Sequence, residues 1–303
     1  MFLMAYFRTE QEADGEQVRL AVSGPDDPLR WTPVDEGRPV LVSDVGEGGV
    51  RDPFLLRHDD GRIILIATDL RVHPEHDWAR AMTRGSRAIL VWETRDLLTW
   101  EGPRRVGIAP PGAGNAWAPK AFWSRERGSW LVIWASGMPG EGSDHQRLLC
   151  AATRDFRTFG EPEVYLDPGH DIIDATFLQV GDDWFRFTAN VYRPGLDPLL
   201  NHIRFERGRG LEDPDFTVLD ERLGSAVLHR GEGPAAFSSA DGSRHYLLID
   251  EFGMSGYHLF ESGDPASGWR HRPDARLPVG ARHGSVLPIS AEEGARLLGP
   301  AQP

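Results

Sequence analysis

The chain has 303 residues, about 40% of them apolar, and a formal net charge of -13. That length and apolar content suit a globular protein with a sizeable core, built as one large domain or two ordinary ones. The acidic balance argues against nucleic acid or an anionic membrane as partner, since either wants a basic face.

Three further counts narrow the class. Cys150 is the only cysteine, which rules out an intramolecular disulfide or a thiolate zinc cluster; set in the apolar run Leu148–Ala152, it reads as a buried, unreactive thiol. No stretch approaches the roughly 18 apolar residues of a membrane helix. The opening run Met1–Phe7 is too short for a signal-peptide core and has no small-residue cleavage site. A soluble cytoplasmic protein is expected, or a secreted one where a leader has been removed.

In chain order, the apolar run Phe2–Phe7 comes first, and Val18–Ser23 leads to Trp31. Gly49-Val50-Arg51-Asp52-Pro53-Phe54 then opens a strand, with Pro at a place where no ladder donor is needed. Polar turns rich in Gly, Asp and Ser precede aromatic or aliphatic runs at 59–66, 127–134, 181–187 and 241–249, the signature of hairpins. Each hairpin is followed by a strand, a short polar turn and a closing aromatic, seen most clearly in Ala88–Trp100 and Leu148–Phe159. The run from His202 to Phe216 fits the form more loosely, and Tyr257–Trp269 fits it well. Helical periodicity is nearly absent; only Ala291–Leu298 suggests a turn or two.

The closing aromatics Trp31, Trp100, Phe159, Phe216 and Trp269 are separated by 69, 59, 57 and 53 residues. Five units of this length each hold four strands, which describes an all-β, five-bladed β-propeller. Phe2–Phe7 and the late run Ser285–Ile289 could complete one blade together, closing the ring and removing its open edges. With no linker or low-complexity tract, residues 1–303 read as a single domain. A β-sandwich of short strands is the competing fold, and the regular aromatic spacing speaks against it.

The first strand of each unit can be lined up. Asp52, Ala118, Asp174, Glu232 and His283 open the successive strands. In a propeller these innermost strands line the central channel, so their opening residues converge on one mouth. Clustered like charges raise one another's pKa and cost stability, which points to chemistry rather than turn capping. Two carboxylates across a cleft suit glycosidic-bond hydrolysis, with a third to tune the acid. Glu232, between Gly231 and Gly233, suits the proton donor; Asp52, fixed by Pro53, suits the base; Asp174 suits the tuner.

Val50-Arg51-Asp52-Pro53-Phe54, Trp117-Ala118-Pro119, Asp174, Gly231-Glu232-Gly233-Pro234 and His283-Gly284-Ser285-Val286 resemble the successive motifs of glycoside hydrolase family 43. The resemblance runs from about Phe2 to Ile289. It implies a five-bladed propeller, an inverting mechanism, and release of arabinose, xylose or galactofuranose units from oligo- or polysaccharides. It also implies Asp52 as base, Asp174 as pKa modulator and Glu232 as acid. In one respect the chain departs from the pattern: many members carry Glu after Trp-Ala-Pro, and here Lys120, the only lysine, takes that place. Lys120 could pair with Asp52 or Asp174, bind an acidic sugar, or simply pack between blades. In several members the His matching His283 helps hold a cation on the propeller axis, often through water, so calcium or sodium is a candidate structural ion, with none required for the chemistry. A lone His is weak support for it, because hard cations prefer oxygen.

Trp117 could stack on a sugar or belong to the core. Arg51 and Arg282 could bind a carboxylate or sugar hydroxyls through their fixed donors. Asp69 reads as a strand-end cap, and the loop His73–Trp78 could rim the pocket and favour exo action. Two non-enzyme readings stand beside the glycosidase. One is a carbohydrate-binding propeller without catalysis. The other is a protein-interaction propeller, which would want apolar patches rather than an acidic mouth.

Overall fold

The computed structural model describes residues 1–25, 27–139, 143–190 and 201–299; the end of the expected domain, 300–303, lies outside them. Five four-stranded antiparallel sheets stand around a central channel. The N-terminal strands are β1 (Phe2–Phe7), β2 (Arg19–Gly24) and β3 (Asp27–Pro33). The second blade holds β4 (Val50–Arg57), β5 (Ile63–Asp69), β6 (Ala88–Thr94) and β7 (Glu101–Gly107). The third holds β8 (Trp117–Ser124), β9 (Ser129–Met138), β10 (Ser143–Thr153) and β11 (Glu163–Leu166). The fourth holds β12 (Ile172–Val180), β13 (Asp183–Asn190), β14 (Ile203–Gly208) and β15 (Thr217–Leu223). The fifth holds β16 (Glu232–Ser238), β17 (His245–Glu251), β18 (Gly256–Ser262) and β19 (Arg270–His271). The last strand, β20 (Arg282–Pro288), returns to pair with β1, so the first blade reads β20-β1-β2-β3 and both ends of the chain close the ring. The fold expected from the aromatic spacing is the one observed, and the sandwich is set aside.

The closing aromatics mark where each chain segment turns outward. Trp31 lies within β3, Trp100, Phe216 and Trp269 immediately precede β7, β15 and β19, and Phe159 stands shortly before β11. The polar turn ahead of two of them is the same device twice. Thr94 Oγ1 accepts from the backbone N–H of Leu97 while Asp96 caps those of Leu98 and Thr99. Thr153 and Asp155 repeat this for Phe156, Arg157 and Thr158. Such side-chain bonds make a turn self-supporting. The middle strands carry unbroken apolar runs because neighbouring blades cover both their faces, and β5 and β9 are buried throughout. Core clusters accordingly sit between blades, for example Leu65, Ala67 and Trp92 against Leu3 and Leu20.

Two helices are added. The one expected at the C-terminal end forms as Ala291–Leu298, capped by Ser290 and Glu293 in a reciprocal box. A seven-residue helix, Trp78–Arg84, capped by Asp77, was not expected from periodicity. No helix among the described residues is long and apolar enough to cross a membrane.

One backbone feature repeats in all five inner strands. Asp52, Ala118, Asp174, Gly233 and His283 have φ of 53°, 49°, 56°, 54° and 39°. Each sits at a break in the pairing with the next strand. These are β-bulges, which insert a residue and re-aim its side chain. The alignment of Glu232 with Asp52 is therefore corrected by one position: Gly233 occupies the bulge, and Glu232 matches Arg51, Trp117 and Arg282.

Candidate active site

Three of the bulges turn their side chains, Asp52, Asp174 and His283, into one hollow, and His283 stands at the centre of what they bring together. Its Nδ1 lies 3.1 Å from Asp52 Oδ1 and 3.5 Å from Asp174 Oδ2. Its Nε2 lies 2.9 Å from Glu232 Oε1 and 3.2 Å from Asp250 Oδ2. Three blades besides its own thus supply carboxylates to one imidazole. Neighbouring blades lock the positions: Thr68 Oγ1 donates to Asp52 Oδ2 at 2.6 Å and accepts from Ala118 N at 2.8 Å. Gly233 N donates to Asp174 Oδ2 at 3.0 Å.

Arg282 donates to Asp250 Oδ2 at 2.7 Å, and to Glu232 Oε1 and Glu10 Oε2, each at 3.2 Å. Arg51 pairs with Glu16 at 3.0 Å and Glu10 at 3.4 Å, over the rings of Phe7 and Trp78. Above this floor lies a hollow of about 370 Å³, walled by Glu10, Leu70, Trp78, Met82, Trp117 and Phe252 with the charged residues beneath. Trp78 and Trp117 meet edge to face, with centroids 6.3 Å apart.

The environments push the two aspartates in opposite directions. Burial would raise Asp52, but His283, Arg51 and the Thr68 hydroxyl outweigh it and bring its pKa to about 2. Burial raises Asp174; His283 opposes it, but Glu232 and Asp52 add like charge, and it rises to about 6. Burial would lower His283, yet Asp174, Glu232, Asp250 and Asp52 hold it well above the usual imidazole value. The surrounding carboxylates thus favour the protonated ring.

A family model described as "Probable glycosyl hydrolase domain", related to glycoside hydrolase family 43, matches residues 1–295. The chain belongs to this family. An α-L-arabinofuranosidase of Bifidobacterium longum subsp. longum is 27% identical over 319 residues, covering 93% of this chain. The chain spans only 30% of that curated relative's length. Among solved structures, a Bacteroides thetaiotaomicron protein titled endo-1,4-β-xylanase superposes with a TM-score of 0.59 at 12% identity, covering 89% of this chain and 90% of its own. A thermostable family-43 glycoside hydrolase gives 0.56 at 16%, covering 80% of each chain. At these identities the structures speak for the fold alone.

Within this glycosyl hydrolase frame, the residues singled out in the sequence fall into two groups. Asp52, Asp174, Glu232, Arg51, Arg282, His283 and Trp117 all border the hollow. Lys120 does not: it is buried beneath the floor at 2% exposure, with Nζ donating to Gly284 O at 3.2 Å. An acidic sugar in the hollow cannot reach it, which removes that expectation. Asp69 is the cap it was read as, bonded to Ser86, Arg105 and the Glu47 backbone. Of the loop His73–Trp78, Trp78 reaches the rim, joined by Met82 from the short helix.

The sequence reading missed Asp250, Thr68, Glu10 and Phe252. Asp250 and Thr68 pair across the sheet with Glu232 and Arg51 respectively, so these two inner-strand site residues have a polar partner opposite them on the next strand. That register is the signal that could have found them.

The axial cation suggested by the resemblance finds a poor seat here. Asp174, Glu232 and His283 do offer ligand atoms within 4.8 Å of one another. But both ring nitrogens of His283 already face carboxylates, and the imidazole would have to give up one of those contacts to serve as a ligand. The Lys120 ammonium lies in the channel below. The residues fit an internal cation better than a bound one.

Proposed function

We propose that this domain is an inverting, exo-acting glycoside hydrolase that releases a terminal pentofuranose or related sugar from oligo- or polysaccharides. α-L-Arabinofuranoside is the first candidate substrate, β-D-galactofuranoside and β-xyloside the next. The observation that carries this reading is the convergence of Asp52, Asp174 and Glu232 from three blades on one hollow. The arabinofuranosidase named among the relatives supports the choice of first sugar.

Asp52 is the general base. Held ionised, it takes a proton from a water that attacks the anomeric carbon. As the bond from that carbon to the glycosidic oxygen breaks, Glu232 delivers a proton to the leaving oxygen. Asp174, within 4.8 Å of Glu232 and His283 and titrating near 6, tunes the acid and keeps a proton in the cluster. His283 spans the pair, Nδ1 toward Asp52 and Nε2 toward Glu232, so a ring's width and two polar contacts lie between base and acid. That bridge suits an inverting pair, which needs room for a water, roughly 6.5–9.5 Å between carboxyl groups. Trp78, Trp117 and Phe252 offer apolar faces to the C–H side of a sugar ring, and the walled hollow suits a chain end.

The test is hydrolysis of nitrophenyl α-L-arabinofuranoside, β-D-galactofuranoside and β-D-xyloside, with the anomer of the first-formed sugar read by NMR. Turnover with inversion is expected on at least one. Glu232→Gln should stay folded and lose about 10²–10⁴-fold on substrates with poor leaving groups. A folded protein inert on all three and on natural oligosaccharides, or an unchanged Glu232→Gln, would refute the reading.

A further inference from the structure

The chain carries a single lysine, and the fold spends it on the axis. Lys120 leaves β8 in the third blade and donates to the Gly284 carbonyl of β20 in the first. These blades are not neighbours, so the side chain crosses the channel under the hollow. The second blade contributes Phe54, whose ring centroid lies 5.4 Å from Nζ. From the fifth, the Tyr257 hydroxyl donates to Gly233 O at 3.0 Å and accepts from Gly284 N. Gly233 and Gly284 are the neighbours of Glu232 and His283 in the chain. The ammonium is therefore anchored to the backbone that carries the site.

We propose that Lys120 is a positioning residue of the active site, whose buried ammonium sits beneath Asp52 and Asp174 and ties the His283 strand across the axis. This rests on the roles assigned above to those aspartates. The charge balance at the hub favours such a group. Asp52, Asp174, Glu232, Asp250, Glu10 and Glu16 crowd around His283, Arg51 and Arg282, six carboxylates against three cations, and Lys120 narrows that excess. Asp52 on β4 and Asp174 on β12 act on the Lys120 charge, and the Tyr257 hydroxyl of β18 shares the Gly284 carbonyl with it; His283 on β20 touches both aspartates, with Glu232 of β16 and Asp250 of β17 on its other nitrogen. Burial lowers Lys120 to about 8, and Asp52 and Asp174 pull against that loss. Those two carboxylates thus favour the charged form of the residue. Pairing of this kind is mutual.

A sole lysine makes the test direct. Protein labelled with [ζ-15N]lysine should show one Nζ resonance, titrating near 8 rather than at the ordinary 10.5. Asp174→Asn and Asp52→Asn should each move that titration down by about one pH unit, the effect of a unit charge several ångströms away at moderate dielectric. Lys120→Met, matched in length, should move the acid limb of the kcat/KM profile up by about one pH unit with little change in KM, and Lys120→Arg should bring it back. A resonance titrating near 10.5, or one indifferent to both Asn substitutions, overturns the proposal. So does an unmoved acid limb in a folded Lys120→Met protein. Should that variant not fold, the NMR titrations decide without it. They also need no substrate: coupling seen in a protein inert on every glycoside would keep the Lys120 inference and sink the glycosidase reading instead.

Discussion

Asp174 should be a residue that the fold tolerates at a cost, and Asp174→Asn should make the protein more stable at neutral pH. The carboxyl is buried, and although His283 attracts it, Glu232 and Asp52 repel it, so its pKa stands near 6 against 3.8 in the open chain. An acid whose folded pKa is raised adds stability below its unfolded value and loses it as pH rises through the folded one. Across that interval the loss amounts to about 3 kcal/mol. Asparagine removes the titration and keeps an oxygen for the Gly233 N–H, now bonded at 3.0 Å. It also accepts the left-handed backbone at φ 56°. What it gives up is the attraction to His283 Nδ1 at 3.5 Å. The net gain should be about 1–2 kcal/mol at pH 7.5, a rise of a few degrees in Tm. Urea titrations of both proteins at pH 7.5 and pH 3.5 measure it, and the gain should shrink to near zero at the lower pH. Glycosidase turnover should fall in the same variant, as expected where a site holds charge against stability. A variant less stable than the parent at pH 7.5, or a difference independent of pH, would refute the electrostatic account.

Three further outcomes are expected of the same fold. Asp250→Ala removes the nearest acceptor of Arg282 and should cost about 1.5–3 kcal/mol in a denaturant titration, the loss of one charged hydrogen bond, because Glu232 and Glu10 remain as its partners. Gly233→Ala would place a Cβ 2.6 Å from the His283 ring at φ 54°; turnover should drop as the ring is pushed from Glu232, with stability reduced by about 1–3 kcal/mol. Cys150, buried and raised to about 12, should ignore a thiol reagent at pH 8 in the native protein and react fully in denaturant.

Most of the architecture was legible because its signals are local and repeated. Thr94-Arg95-Asp96 and Thr153-Arg154-Asp155 announce the same turn, and the aromatic after each marks the step to an outer strand. The short helix Trp78–Arg84 was not legible: it runs barely two turns and buries only Ala81, too little to leave a periodic trace. Asp250 was hidden differently. It ends an apolar run, as many strand-end caps do, and only the cross-strand register reveals that it faces Glu232. The direction of Lys120 was equally beyond reach, since a two-residue alternation gives no side to a residue just past a bulge.

The bulge itself explains why the site could be seen yet misaligned by one residue. Asp52-Pro53, Ala118-Pro119 and Gly233-Pro234 share a register that the proline marks, and it assigns Gly233, not Glu232, to the strained position. Glu232 stands one residue earlier, in line with Arg51, Trp117 and Arg282, where the side chain reaches the hollow from the wall. Its extra methylene lets it meet His283 at 2.9 Å from there. The proposed base and modulator thus sit on the bulged residues Asp52 and Asp174, and the proposed acid on the residue before a bulge. Two distinct backbone positions, repeated five times around a ring, give the fold separate slots for groups that hold the site and groups that meet the sugar. Substitution at a slot changes the chemistry without disturbing the blade, which is how one scaffold can place a carboxylate at Asp174, an imidazole at His283 and no charge at all at Ala118.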